Sequence, residues 1–136
     1  MTFDTKIAIV IRTDLEVWQK LNVASFLTSG IAAAFPECIG EAYQDGSGTR
    51  YLSLIGQPIL IYGADRPALT RALERALARN VRPAVYTEEM FKTTHDQANR
   101  DAVKAVIRAE LNLVGLAMRA ERKVIDKIVD GLKFHS

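Results

Sequence analysis

Lys6-Ile7-Ala8-Ile9-Val10-Ile11-Arg12, followed by Thr13-Asp14-Leu15, is the stretch on which the fold turns. Between Lys6 and Arg12 every residue is apolar and most are β-branched, so no alternate position is left for a side chain that faces water. A run of this kind reads as a strand covered on both faces. It predicts the first and central strand of a sheet, ending at Thr13-Asp14.

Working outward, apolar residues at Leu21, Ala24, Leu27, Ile31 and Ala34 recur at steps of three and four, which predicts an amphipathic helix from about Val17 to Phe35, stopped by Pro36. Residues 37 to 57 carry Gly40, Asp45-Gly46-Ser47-Gly48 and Gly56, turn chemistry with at most one short strand or hairpin around Tyr51 to Ile55. Pro58 to Tyr62 is the next buried strand. Asp65 is placed to cap a helix that has Pro67 in its first turn and runs to about Asn80. On that helix Leu69, Leu73 and Leu77 share one face, and Arg71, Arg75 and Arg79 step along another. Pro83 to Tyr86 reads as a third strand, Glu88 to Lys92 as a helical turn and Asn99 to Ala109 as a helix. Leu111 to Met118 is a fourth strand, and Glu121 to Val129 a closing helix with Val124, Ile125 and Ile128 inward. Strands alternating with helices predict an α/β fold, a three-layer α/β/α sandwich around a mixed four-stranded sheet.

A chain of 136 residues fits one domain spanning residues 1–136. An apolar fraction of 49% with 25% charged residues is ordinary globular composition. The longest apolar stretch, Val23 to Phe35, is broken by Ser25, Thr28, Ser29 and Gly30, so no membrane span is expected. Met1-Thr2-Phe3-Asp4-Thr5-Lys6 lacks the basic and apolar regions of a secretory leader, and the single cysteine, Cys38, has no internal partner; both fit a cytoplasmic protein. A net charge of +2 does not by itself favour nucleic acid as a partner.

Cys38, His95 and His135 are scattered, without the spacing that aims two ligands at one ion, so no metal is expected, and no cofactor. Gly46-Ser47-Gly48 lacks the remainder of a phosphate-binding loop and reads as a turn. In α/β sheets ligands gather outside the carboxyl ends of strands, which puts Arg12 to Asn22 first among site segments and the loop after Tyr86 second. Within the first, Asp14 serves either as a cap or as a reactive carboxylate, Lys20 offers a positive charge, and Asn22 offers an amide. Within the second, His95 with Thr93 or Thr94 could line a cleft, and Thr94 or Asp96 could cap the helix that follows. Between Arg66 and Arg82 five arginines meet one acid, Glu74: a solvated helix face, or a rail for phosphates through Arg71, Arg75 and Arg79.

Lys6 to Arg12 with Thr13-Asp14-Leu15 resembles the opening strand of type II peptidyl-tRNA hydrolases, and Gly56 to Leu60, the arginine helix and Leu111 to Leu132 follow that family in outline. The chain is also similar to an uncharacterised bacterial family of that fold, in Asp14-Leu15 and Leu21-Asn22-Val23-Ala24-Ser25. The resemblance implies a peptidyl-tRNA hydrolase II-like domain. It also implies that two functional motifs are replaced: Asn22 stands at the family's lysine, with Lys20 two positions earlier, and Thr87-Glu88-Glu89 stands where the hydrolases have Asp-Ala-Gly.

The leading expectation is binding of a small polar ligand in a cleft formed by Arg12, Asp14, Lys20 and Asn22 with Glu88, Thr94 and His95. The alternatives are a hydrolase of peptidyl-tRNA or a related ester with a rearranged site, and a homo-oligomeric scaffold, such as a homodimer, held by contacts at Tyr86, Phe91 or Phe134.

Overall fold

A computed structural model describes residues 3–136; Met1 and Thr2, part of the stretch read above as lacking a leader, lie outside the described residues. The elements in chain order are β1 (Thr5–Arg12), α1 (Val17–Ala34), β2 (Ile39–Gln44), β3 (Arg50–Ile55), β4 (Ile59–Ala64), α2 (Arg66–Ala78), β5 (Ala84–Thr87), α3 (Asp96–Lys104), β6 (Leu113–Glu121), α4 (Arg122–Ile128) and β7 (Lys133–Phe134). Short 3₁₀ turns cover Pro36–Cys38, Glu88–Lys92 and Arg108–Glu110. No helix of the described residues is long and apolar enough to cross a membrane.

The main sheet has five strands in the order β5-β6-β1-β4-β7, with β1 at its centre. β1 runs parallel to β4 and antiparallel to β6; β5 is antiparallel to β6, and β7 to β4. The expected four strands are thus one short. The fifth, β7, pairs Phe134 with Tyr62 and Lys133 with Gly63, and two residues, one charged and one aromatic, carry no periodicity to read.

The side chains of β1 divide between two cores. Ile7, Ile9 and Ile11 face α1 and pack with Val23, Leu27, Ile31 and Val114. Ala8 and Val10 face the opposite way, toward Leu69, Leu73, Ile125 and Ile128 of α2 and α4. Helices therefore cover both faces of the sheet. Each fully buried aliphatic side chain contributes about 1.5–3 kcal/mol. The buried stripe of α1 is Val23, Leu27 and Ile31, not the stripe beginning at Leu21 and ending at Ala34, both of which are exposed. The stripe is displaced because α1 lies against β6 at Gly115, where a Cβ would stand 2.6 Å from Val23 Cγ1 and 2.9 Å from Leu27 Cδ1.

Asp65 caps α2 as its position suggested, accepting from the Ala68 N–H at 2.9 Å, and Asn80 closes it in the left-handed region at φ 58°. The helix expected over Asn99 to Ala109 instead occupies Asp96–Lys104. His95 caps it, not Thr94 or Asp96: Nδ1 of His95 accepts from the Ala98 N–H at 3.2 Å. The segment over residues 37–57 forms a separate two-stranded hairpin, β2 with β3, longer than the stretch around Tyr51 to Ile55. Its tip is the expected turn: Asp45 Oδ1 accepts from the N–H groups of Ser47 and Thr49, and Gly48 has φ 86°.

Candidate ligand-binding site

β1, β4 and β5 end, and β6 begins, along one edge of the sheet. Arg12, the last residue of β1, has every guanidinium nitrogen engaged there. Nε donates to Asp14 Oδ1 at 2.6 Å, Nη1 to Asn112 Oδ1 at 3.3 Å, and Nη2 to Glu88 Oε2 at 3.3 Å. Asn112 Nδ2 donates to the same Glu88 oxygen at 2.7 Å, and the Glu88 N–H donates to Asn112 O at 2.9 Å. Arg12, Asn112 and Glu88 thus form a closed ring. Thr13, Asp65 and Arg66 complete a cavity of about 300 Å³ above it. Asp14 acts here as a partner of Arg12; the residue that caps α1 is Glu16, whose N–H is bonded in turn by Gln19 Oε1. Asn112 gave no signal in the sequence, because a lone asparagine before a strand is common turn chemistry.

The ring fastens the start of the 3₁₀ turn Glu88–Lys92 to the ends of β1 and β6. That turn carries Met90 and Phe91, which form a wall of a second cleft, between α1 and α3. Four aromatic rings run through it in series. Trp18 meets Phe91 edge-on at 5.8 Å, Phe91 lies 5.3 Å from Tyr86, and Tyr86 lies 5.9 Å from Phe26. Asn22, Thr94, His95 and Asn99 supply polar groups to the same cavity of about 480 Å³. A further lobe of about 440 Å³ shares Phe26, Tyr86 and Met90 and adds Arg100 and Lys104.

The polar groups of this cleft have defined capacities. The Asn22 amide donates through Nδ2 to Trp18 O at 3.2 Å, leaving Oδ1 to accept. Because His95 Nδ1 accepts the capping hydrogen bond, the proton of the neutral ring sits on Nε2, which is a donor. Burial pushes the pKa of the Tyr86 phenol up from its ordinary value. Thr93 Oγ1 and Asn99 Oδ1 are bonded to each other, and the Asp96 carboxylate holds Arg100.

The seven expected ligand residues therefore separate into three places. Arg12, Asp14 and Glu88 meet in the polar ring; Asn22, Thr94 and His95 meet in the aromatic cleft. Lys20 joins neither: it lines a cavity between α1 and β4 with Val17, Leu21 and Ile61. A rearranged hydrolase site that borrowed Lys20 to stand in beside Asn22 would have to draw on two different cavities. Of the arginines on α2, Arg75 is occupied within the fold. Its Nη1 donates to Ile128 O at 3.3 Å and Asp130 O at 2.9 Å, closing the end of α4, while Arg79 Nη1 donates to Arg75 O at 3.3 Å. Of the contacts expected for a scaffold, Tyr86 is buried and Phe91 partly so; Phe134 is exposed, stacked on Tyr62 at 5.0 Å.

Residues 5–136 match the model of a family described as protein of unknown function, DUF2000, and the chain belongs to that family. It is similar to a solved structure of a protein of unknown function from Agrobacterium tumefaciens strain C58, with 48% sequence identity and a TM-score of 0.97 over 99% of this chain and 100% of that one. No protein with a curated description matches it. Neither description names a peptidyl-tRNA hydrolase, and that likeness stays with the residues quoted for it.

Proposed function

We propose that this member of the DUF2000 family binds a small planar ligand with polar substituents in the aromatic cleft between α1 and α3. The observation that carries the reading is the series Trp18, Phe91, Tyr86 and Phe26 lining a cavity that also presents the Asn22 amide and the His95 ring. Ligand sites are concave, mostly apolar and fitted with a few placed polar groups, typically about 300–1,000 Å³ in volume. The main lobe, at about 480 Å³, falls in that range. Ring faces and edges favour a flat π-system, and Asn22 Oδ1 with His95 Nε2–H supply one acceptor and one donor for its substituents. Arg100 in the adjoining lobe is paired with Asp96, which leaves Lys104 there to favour an acceptor-rich or anionic group at one end of the ligand.

The polar ring at the end of β1 is given a positioning role in this reading. Arg12 and Asn112 direct their side-chain hydrogen bonds to one another and to Asp14 and Glu88, and the ring so formed holds the start of the turn that carries Met90 and Phe91. The test is a thermal-shift screen of nucleobases, nucleosides, indoles and pterins. At least one class is expected to raise the melting temperature of the wild type, and the shift to shrink in both Asn22→Ala and Phe91→Ala. Asn22 is exposed, so its truncation leaves the fold intact and keeps the result interpretable. If no planar class stabilises the wild type, the reading is wrong.

A further inference from the structure

The hairpin β2–β3 is a sheet of its own, and neither strand packs extensively on any other element. A lone two-stranded ribbon is marginal in water and needs a third strand or a covering surface. This one instead displays Ile39, Tyr43, Tyr51, Leu52 and Leu54, with Leu52 87% and Leu54 61% exposed. A second apolar surface lies uncovered elsewhere. On the α1 side of the sheet a single helix serves five strands, and α1 packs on β1, β6 and β5. The flank over β4 is left as a groove of about 380 Å³ between Ile61 and the exposed Val17 and Leu21, 71% and 64% exposed, with Ile11 and Ala24 at its floor and His135 and Ser136 along one side.

We infer that these two surfaces cover one another between two copies of this chain: in a two-fold dimer the hairpin of each copy lies in the α1–β4 groove of the other. The chain's own hairpin is rooted at the far end of α1, a helix about 27 Å long, whereas the groove lies beside the first turns of that helix. A closed two-fold arrangement needs one surface patch that is complementary to itself, and a projecting ribbon together with a recess meets that requirement. At their exposures the five hairpin and three groove side chains offer on the order of 800 Å² of surface per copy, the amount a standard interface takes from each partner. Residues 37–57 carry Glu37, Glu41 and Asp45 against Arg50 alone, a balance of −2, and Lys20 is placed to meet them from a groove otherwise lined by apolar residues, His135 and Ser136.

Sedimentation equilibrium of the full chain at micromolar concentration tests this. The wild type is expected to be a dimer. Leu52→Glu in the hairpin and Leu21→Glu in the groove should each raise the dissociation constant at least ~10-fold, with unchanged circular dichroism, since both side chains are already exposed. Mixing the two variants distinguishes this arrangement from generic adhesion. The Leu21→Glu chain keeps an intact hairpin and the Leu52→Glu chain an intact groove, so the mixture should form heterodimers more readily than either variant self-associates. A monomeric wild type, or a dimer indifferent to both variants, overturns the inference; so does a dimer that both variants break without complementation, which would indicate like-on-like contact.

Discussion

Arg12 ends the central strand with its side chain 13% exposed and an acceptor at every nitrogen, so the guanidinium is held as a fixed strut. Asn112 both accepts from Arg12 and donates to Glu88. Asn112→Ala should therefore leave two partners unmatched and lower stability by about 1 kcal/mol, the discount reflecting a Glu88 side chain 49% exposed, as read from urea unfolding. Lys6 Nζ lies 2.7 Å from Asp126 Oδ1. Burial alone works to lower its pKa, but the hydrogen bonds to Asp126 and Tyr62 outweigh it, and the pKa is raised above 10.5. The unfolded chain then loses this proton first on alkaline titration. The stabilisation is complete below about pH 10.5 and fades as pH rises through the higher folded value. Unfolding measured from pH 8 to 12 should show a steeper alkaline loss for wild type than for Lys6→Met.

Among elements, the contact between α1 and β6 is the tightest fixed by one residue. Alanine at Gly115 would place its Cβ 2.6 Å from Val23 Cγ1, 2.9 Å from Leu27 Cδ1 and 3.3 Å from Val10 O, so Gly115→Ala should destabilise by about 1–3 kcal/mol. Gly46→Ala, at the hairpin tip with nothing within 4 Å, should change the unfolding midpoint little, since a surface change of this kind stays within about 0.5 kcal/mol. The elements with a periodic core face were legible in advance: β1 by its unbroken apolar run, α2 by Leu69 and Leu73 with the Asp65 cap, α4 by Ile125 and Ile128. β2 was not, because Gly40, Glu41 and Ala42 are poor strand formers and pair only with β3. β7 was too short to carry a pattern. Of the candidate site, Arg12, Asp14 and Glu88 were reachable from the rule that ligands gather at strand ends, as were Asn22, Thr94 and His95. What the rule lacks is depth across the sheet. It cannot show that the turn Glu88–Lys92 stands between the two groups, or that four separately encoded aromatic residues align on one side of it.

At the scale of the whole molecule, five strands with α1 alone on one face and α2 and α4 on the other leave the α1 face covered only in part. On one side of α1 the gap is the aromatic cleft, bounded by the turn and α3; on the other it is the groove over β4. One helix thus separates the surface assigned to a ligand from the surface assigned to a second copy. The two can be assayed apart, since Trp18 is the single tryptophan of the chain and lies in the cleft. The most direct test of the account is a fluorescence titration of Trp18 with the planar compounds of the thermal-shift screen, on wild type and Asn112→Ala. A saturable change in Trp18 emission is expected for at least one class, with a weaker apparent affinity in Asn112→Ala, where the turn carrying Phe91 loses its anchor. Trp18 emission unmoved by every class in a folded wild type, or an identical titration in the two proteins, would contradict it.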